Sequence, residues 1–265
     1  MGSNPASPTI SSTATLGGPH RVGRVPSMCG RFVSTTSAED LARHFEARFD
    51  GPALGARFNV SPGSLVWTVV AEGQHQPERL LGTKRWGLVP SWAKEASVGN
   101  RMINARLETV GERPAYRRAF HSRRCLVPAD GFFEWEATAG GPKQPWFFSA
   151  TDGHPLAFAG LHERWVAPAD PQMTPLETVT IITTDATEPV RTVHDRMPLA
   201  LSAETWDRWL DPELAGNEIL RAVLDANRVP QLEAWPVDRA VGNPRNEGAE
   251  LITPVKPPET GATLL

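Results

Sequence analysis

The chain has 265 residues, 25 of them proline and only two cysteine, and a formal charge of −3. Two cysteines far apart exclude a disulfide framework and a Cys-x-x-Cys zinc or redox pair, and no stretch approaches the roughly 20 apolar residues of a membrane-spanning helix. The acidic balance weighs against a protein that coats nucleic acid through overall charge, although local fields decide phosphate attraction more than net charge does.

Met1 to Met28 is rich in Ser, Thr, Pro and Gly, with Arg21 and Arg24 as its only charges, so the rest of the chain carries −5. This segment lacks the apolar mass that offsets ordering entropy, and it lacks the basic start and apolar run of a signal peptide. A disordered leader is expected over 1–28, then one domain over 29–255 large enough for a real core, then a flexible tail over 256–265. A soluble, cytoplasmic monomer is expected. Met28-Cys29-Gly30-Arg31-Phe32 reads like the start of a protein. The favoured expectation is that translation begins at Met28, which is then removed; the alternative is that the domain clips its own leader. Either event gives Cys29 a free α-amine beside its thiol, a 1,2-aminothiol that captures aldehydes as cyclic adducts.

Next in chain order, Ser37 to Arg48 predicts a short helix, with Ser37 as N-cap, Glu39 and Asp40 in the first turn, and Leu41, Phe45 and Phe49 on one stripe. Strands are expected over Arg31–Ser34, Leu65–Val70, Arg79–Trp86, Leu126–Val127, Gly131–Glu136, Trp146–Ser149, Leu156–His162 and Thr178–Thr183, several flanked by Pro or Gly. A second helix is expected over Arg113–Ser122, with Pro114 in its first turn, and late helices over Ala203–Leu210 and Glu218–Ala226. Strand and helix do not alternate regularly, so the pattern predicts an α+β fold rather than a doubly wound one.

Several polar positions stand out. In Met102 to Thr109, alternation puts Asn104 and Arg106 on one side of an extended chain. Arg113, Arg117, Arg118, Arg123 and Arg124 crowd a stretch with His121, the composition of a phosphate-attracting patch or of an ordinary solvated helix face. Glu134 lies among aromatics in Gly131-Phe132-Phe133-Glu134-Trp135-Glu136; desolvation there raises a carboxyl pKa toward the range useful for proton transfer, and the ordinary alternative is a strand carboxylate paired with an arginine. His194 is a ready proton shuttle or a hydrogen-bonded structural histidine. Cys125 reads as a small buried hydrophobe. The histidines show no metal-ligand spacing.

Taken together, Cys29-Gly30-Arg31-Phe32, Ile103-Asn104-Ala105-Arg106, Gly131-Phe132-Phe133-Glu134-Trp135 and Val193-His194-Asp195-Arg196-Met197-Pro198 closely resemble the SOS response-associated peptidase (SRAP) family of abasic-site cross-linking proteins. Phe58 to Gly63, Trp86 to Pro90, Ile181 to Thr184 and Ala240 to Asn243 extend the resemblance in the same order to about Val255. It implies mostly antiparallel sheets forming a barrel-like core with flanking helices. It implies covalent capture of abasic sites in single-stranded DNA through a thiazolidine on Cys29, with abasic-site lyase and self-processing peptidase activity as further possibilities.

Residue by residue, the resemblance makes Glu134 the proton carrier, Asn104 the group that orients the Cys29 amine and thiol, and His194 the helper of sugar ring opening. Arg31, Arg106 and Arg196 become phosphate contacts, Trp86 and Trp135 stacking or wedging residues, and Thr183 adds a hydrogen bond, with no cofactor or metal. Arg31 is also the cationic neighbour expected to favour a thiolate-like sulfur. Two other classes stay open: a general thiol peptidase using Cys29, Glu134 and His194, and a noncatalytic single-stranded DNA-binding module.

Overall fold

The computed structural model describes residues 29–73, 78–138, 140–214 and 216–256. The expected leader over 1–28 and all of the expected tail beyond Lys256 lie outside the described residues.

The chain forms twelve described strands, β1 (Phe32–Ser34), β2 (Arg57–Val60), β3 (Leu65–Glu72), β4 (Glu78–Trp86), β5 (Asn104–Arg106), β6 (Arg124–Ala129), β7 (Gly131–Glu136), β8 (Gln144–Ala150), β9 (Leu156–Trp165), β10 (Leu176–Asp185), β11 (Arg196–Pro198) and β12 (Leu232–Pro236). Four α-helices accompany them: α1 (Ala38–His44), α2 (Arg117–Ser122), α3 (Ala203–Leu210) and α4 (Gly216–Leu224). One sheet is wholly antiparallel, in the order β12-β8-β7-β1-β2. The other runs β11-β10-β4-β3-β6-β9, and β9 returns to pair with β10, closing a ring of strands; among the pairings between these described strands, β10–β4 and β10–β5 are the parallel ones. The architecture is therefore α+β with a barrel-like core. Gly160 of β9 is needed for that closure, because a Cβ there would stand 2.9 Å from Cys125 Sγ and 3.2 Å from the Thr180 carbonyl.

Two-residue periodicity sorts the ring's side chains into two layers. Val66 and Val70, Cys125 and Val127, Phe158, Val179 and Ile181 meet Phe32, Phe132 and Phe148 of the five-stranded sheet. The intervening Trp67, Val69, Leu126, Ala159, Leu161 and Ile182 meet Leu41 and Phe45 of α1, Phe120 of α2, Trp206 and Trp209 of α3, and Ile219 and Val223 of α4. Both cysteines are free and buried.

The expected helices and strands form, with shifted ends. Ser37 caps α1, its side chain accepting from the Asp40 N–H, but the helix stops at His44. Glu46 turns into the left-handed region and Arg48 bridges to Leu80, so pairing with β4 takes the residues the helical stripe would have used. Residues 113–116 are turns ahead of α2 rather than its first turn, held by Tyr116 N–H donating to the Arg113 carbonyl. The strands β2, β11 and β12, three to five residues long, carry too little alternation to be expected from sequence.

The expected basic cluster is divided by the fold. Arg124 is buried and donates to the carbonyls of Phe120 (2.6 Å), His121 (2.6 Å), Trp209 (2.7 Å), Leu214 (3.0 Å) and Asp211, closing the C-terminal ends of α2 and α3. Burial lowers its pKa to about 10. Arg123 pairs with the buried Glu163 at 2.6 Å. Arg113, Arg117 and Arg118 remain on the surface.

Candidate active site

Antiparallel pairing of β1 with β7 builds the site. Phe32 lies opposite Phe132, and Phe133 N–H donates to the Arg31 carbonyl, so the residues just before β1 run alongside Glu134. Alternation along β7 turns Phe132 and Glu134 toward the second sheet, whereas Phe133 joins the cluster on the opposite face, against which Trp135 packs. A carboxylate thus points into the space between sheets, 1% exposed. Burial raises its pKa, opposed in part by His194 and by hydrogen bonds from Cys29.

Cys29 sits at φ +44, a left-handed conformation that costs a non-glycine residue about 1 to 3 kcal/mol. The turn aims its backbone N–H at Glu134 Oε1, 2.8 Å away. The Glu134 charge also acts on the thiol, whose Sγ lies 4.0 Å from the Arg196 carbonyl. One carboxylate therefore serves both the nitrogen and the sulfur. Burial, then the Glu134 charge, pushes the thiol pKa well above its ordinary value, and Arg196 pulls the other way. The cation acting on the sulfur is Arg196, not Arg31 as expected from sequence.

Asn104 and His194 arrive from the second sheet. β5 lies parallel to β10, Asn104 opposite Ile181 and Arg106 opposite Thr183. Asn104 Nδ2 donates to the Cys29 carbonyl at 3.4 Å, and its own carbonyl accepts from Tyr116 Oη at 3.2 Å. His194 Nδ1 accepts the Arg196 N–H at 3.0 Å, which assigns the ring proton to Nε2 in the neutral form. Asp195 Oδ1 lies 3.1 Å from the same nitrogen, a contact that becomes an ion pair only when the ring is protonated.

The expected DNA-contacting residues separate into two sets. Arg106 is exposed and, with Asn104, lines a cleft of about 490 Å³ that also receives Arg101, Arg113, Trp92 and Tyr116. The others are engaged within the protein. Trp86 is 1% exposed, its Nε1 donating to the Ile103 carbonyl at 2.9 Å; a base has no access to its face, and the indole braces the residue before Asn104. Trp135 stands across the sheet from Glu134. The Nη atoms of Arg196 are engaged by Glu108 (2.7 Å), Asp185 (2.6 Å) and the Thr183 carbonyl (2.7 Å), and its buried Nε has no hydrogen-bond partner. Arg31 Nη1 donates to Asn59 Oδ1 (2.9 Å) and the Val241 carbonyl (2.8 Å). Thr183 is fully buried, its hydroxyl 3.5 Å from the Ala105 carbonyl.

Sequence reasoning missed Trp92, 62% exposed and the most exposed large apolar side chain described. The loop carrying it is tied down at both ends. A Cβ on Gly87, at φ +126, would stand 2.6 Å from the Gly99 carbonyl oxygen, and Trp165 Nε1 donates to the Ala93 carbonyl at 2.7 Å. Ala93 points inward and Trp92 outward. A tryptophan in the proline-bounded turn Pro90-Ser91-Trp92 with no apolar period around it was the available signal. Among the described residues no group of three or more His, Cys, Asp or Glu is arranged to hold a metal ion, and no helix is long and apolar enough to cross a membrane.

Residues 28–244 match the model of the family described as SOS response associated peptidase (SRAP). The chain is 37% identical over 227 residues to the abasic site processing protein YoqW of Bacillus subtilis, covering 85% of this chain and 99% of the relative. It is 34% identical over 235 residues to the abasic site processing protein YedK of Escherichia coli, covering 86% and 100%. A crystal structure of a protein from Bacteroides thetaiotaomicron superposes with a TM-score of 0.73 at 22% identity, over 86% of this chain and all of that one, a likeness of fold.

Proposed function

Because this chain belongs to the SOS response associated peptidase (SRAP) family, we propose that it processes abasic sites in DNA, and that Cys29 captures the abasic sugar of a single strand covalently. The observation that carries this reading is the single buried carboxylate that accepts the Cys29 N–H at 2.8 Å and whose charge also acts on the thiol.

The chemistry follows from that contact once the Cys29 nitrogen is a free amine rather than an amide. An α-amine has a pKa near 7.7 to 8.0 against about 10.4 for lysine, so its unprotonated fraction at neutral pH is on the order of several hundred times larger. Its lone pair attacks the C1 aldehyde of the ring-opened deoxyribose. Glu134, its pKa raised by burial, is suited to hand over the proton that lets water leave and then to accept the proton of the thiol as sulfur closes on the imine carbon. Asn104 holds the Cys29 carbonyl, and so the direction of the amine. In this reading His194, whose charge acts on Glu134, assists sugar ring opening. Loss of a proton from the sugar C2 at the imine stage forms the C2=C3 double bond as the C3–O bond breaks and the 3′ phosphate departs, which is the lyase branch of the same pathway.

Strand binding falls to the cleft beside Asn104. Arg101, Arg106 and Arg113 supply phosphate contacts, and Trp92 and Tyr116 supply faces for bases. A general thiol peptidase fits less well, because burial, then the Glu134 charge, raises the thiol pKa, where a thiol peptidase attacks through an ionised sulfur. The test uses protein whose first residue is Cys29 and a single-stranded oligonucleotide with one abasic site. A band shifted under denaturing conditions, absent in Cys29→Ala and absent while the leader remains attached, is expected. Cross-linking by Cys29→Ala would sink the reading.

A further inference from the structure

We propose that Cys29, with its amine free, also captures small free aldehydes with no nucleic acid bound, which makes short unphosphorylated carbonyl compounds a second substrate class and competitors for the site. The inference rests on the aminothiol reading and extends it.

Three observations support it. First, the groups at the reacting atoms are Glu134 at the nitrogen and the Arg196 carbonyl at the sulfur, both supplied by the chain itself. Second, Arg196, the cation that acts on the sulfur, has both Nη atoms bound to Glu108, Asp185 and the Thr183 carbonyl, and its unpartnered Nε is buried. The exposed Arg101, Arg106 and Arg113 stand instead in the neighbouring cleft. Recognition of a strand and reaction with its carbonyl are therefore located in different places, and nothing at the reacting nitrogen requires a phosphate. Third, Cys29 is only 3% exposed, so a one- or two-carbon aldehyde needs less opening of the surroundings than a sugar in a strand.

The step balances without an oxidant or a further reactant. The amine nitrogen attacks the carbonyl carbon and the C=O pair moves to oxygen. Water leaves with a proton supplied through Glu134, giving the imine. The thiol sulfur then bonds to the imine carbon, its proton passing to Glu134 and the C=N pair returning to nitrogen, which takes up a proton. One aldehyde is gained and one water lost.

The probe is acetaldehyde, with protein beginning at Cys29, a free Cys-Gly-Arg-Phe peptide as the unassisted reference, and abasic single-stranded DNA in parallel reactions. Mass spectrometry of the N-terminal peptide should show a gain of one acetaldehyde less one water. The adduct should form about 100-fold faster in the wild type than in Glu134→Gln. Its rate should hold from low to high salt while DNA cross-linking falls, and pretreatment should block later cross-linking. If DNA is cross-linked but acetaldehyde reacts no faster than with the peptide, or equally fast in Glu134→Gln, the inference is overturned and the aminothiol reading stands. If neither adduct forms, both fail.

Discussion

At the residue scale the site depends on Glu134, whose place is set by the alternation of β7 and whose chemistry is set by burial. Glu134→Gln keeps an acceptor for the Cys29 N–H but cannot move protons, so cross-linking should slow by about 100-fold or more while single-strand affinity, measured by fluorescence anisotropy, stays the same. The same variant should alter stability with a defined sign. The folded carboxyl has a raised pKa, so burial costs nothing below the unfolded value of about 4.3, where both states are protonated, and costs most above the folded value. Glu134→Gln should therefore melt higher than the wild type at pH 8, with a gain that shrinks as pH falls toward 4; a melting point lowered at pH 8 would contradict a desolvated carboxylate. Arg106 is exposed in the cleft proposed to bind the strand. Arg106→Ala should weaken strand binding and reduce the slope of log affinity against log salt by about 0.7, the single-strand value for one phosphate.

At the scale of elements, Arg124 joins the ends of α2 and α3 by donating to five carbonyls that the helices themselves leave open. Arg124→Ala strands those acceptors in a buried place, and urea unfolding should show a loss of about 3 kcal/mol or more. The loop that presents Trp92 depends on backbone contact between Gly87 and Gly99. A Cβ on Gly99 would come within 2.5 Å of the Gly87 carbonyl oxygen, and neither backbone is free to yield. Gly99→Ala should therefore cost about 2 kcal/mol by overpacking and weaken single-strand binding more than a comparable loss of stability elsewhere. This loop and β5 are also where sequence reading was uneven. The alternation of Asn104 and Arg106 was legible because a strand's period is two residues. Trp86 and Trp92 are chemically alike in the sequence, and only the packing of one against Phe32 and the exposure of the other assign them different work.

At the scale of the whole molecule, closing the ring brings charged residues of separate strands together. His162 of β9 lies near Lys84 of β4 and Arg123 beside β6, and burial followed by those two cations lowers its pKa to about 3. A histidine that resists protonation in the folded state contributes stability that is full above the unfolded value of about 6.5 and drains away as pH falls through the folded value of about 3. His162→Gln should flatten the acid limb of a stability-against-pH curve in that window; an unchanged limb would remove His162 from the cause of acid unfolding. The five-stranded sheet and the ring meet at Cys29, Glu134, Asn104 and His194, so the candidate site lies where the two sheets join.

What the sequence by itself determined was local: which stretches alternate, which start with a capping serine, that a carboxylate lies among aromatics, and that four separated motifs occur in the order of one family. Each of these is a property of neighbours along the chain. Which arginines face solvent, which tryptophan is free to stack, and which cation acts on the Cys29 sulfur were decided only by the tertiary structure. Arg31, Arg124 and Arg196 carry the same charge in the sequence as Arg106, but carbonyls and carboxylates from distant strands engage their guanidinium groups. Burial and electrostatic partnership depend on what the fold brings within a few ångströms, and chain order does not encode those distances for any single residue.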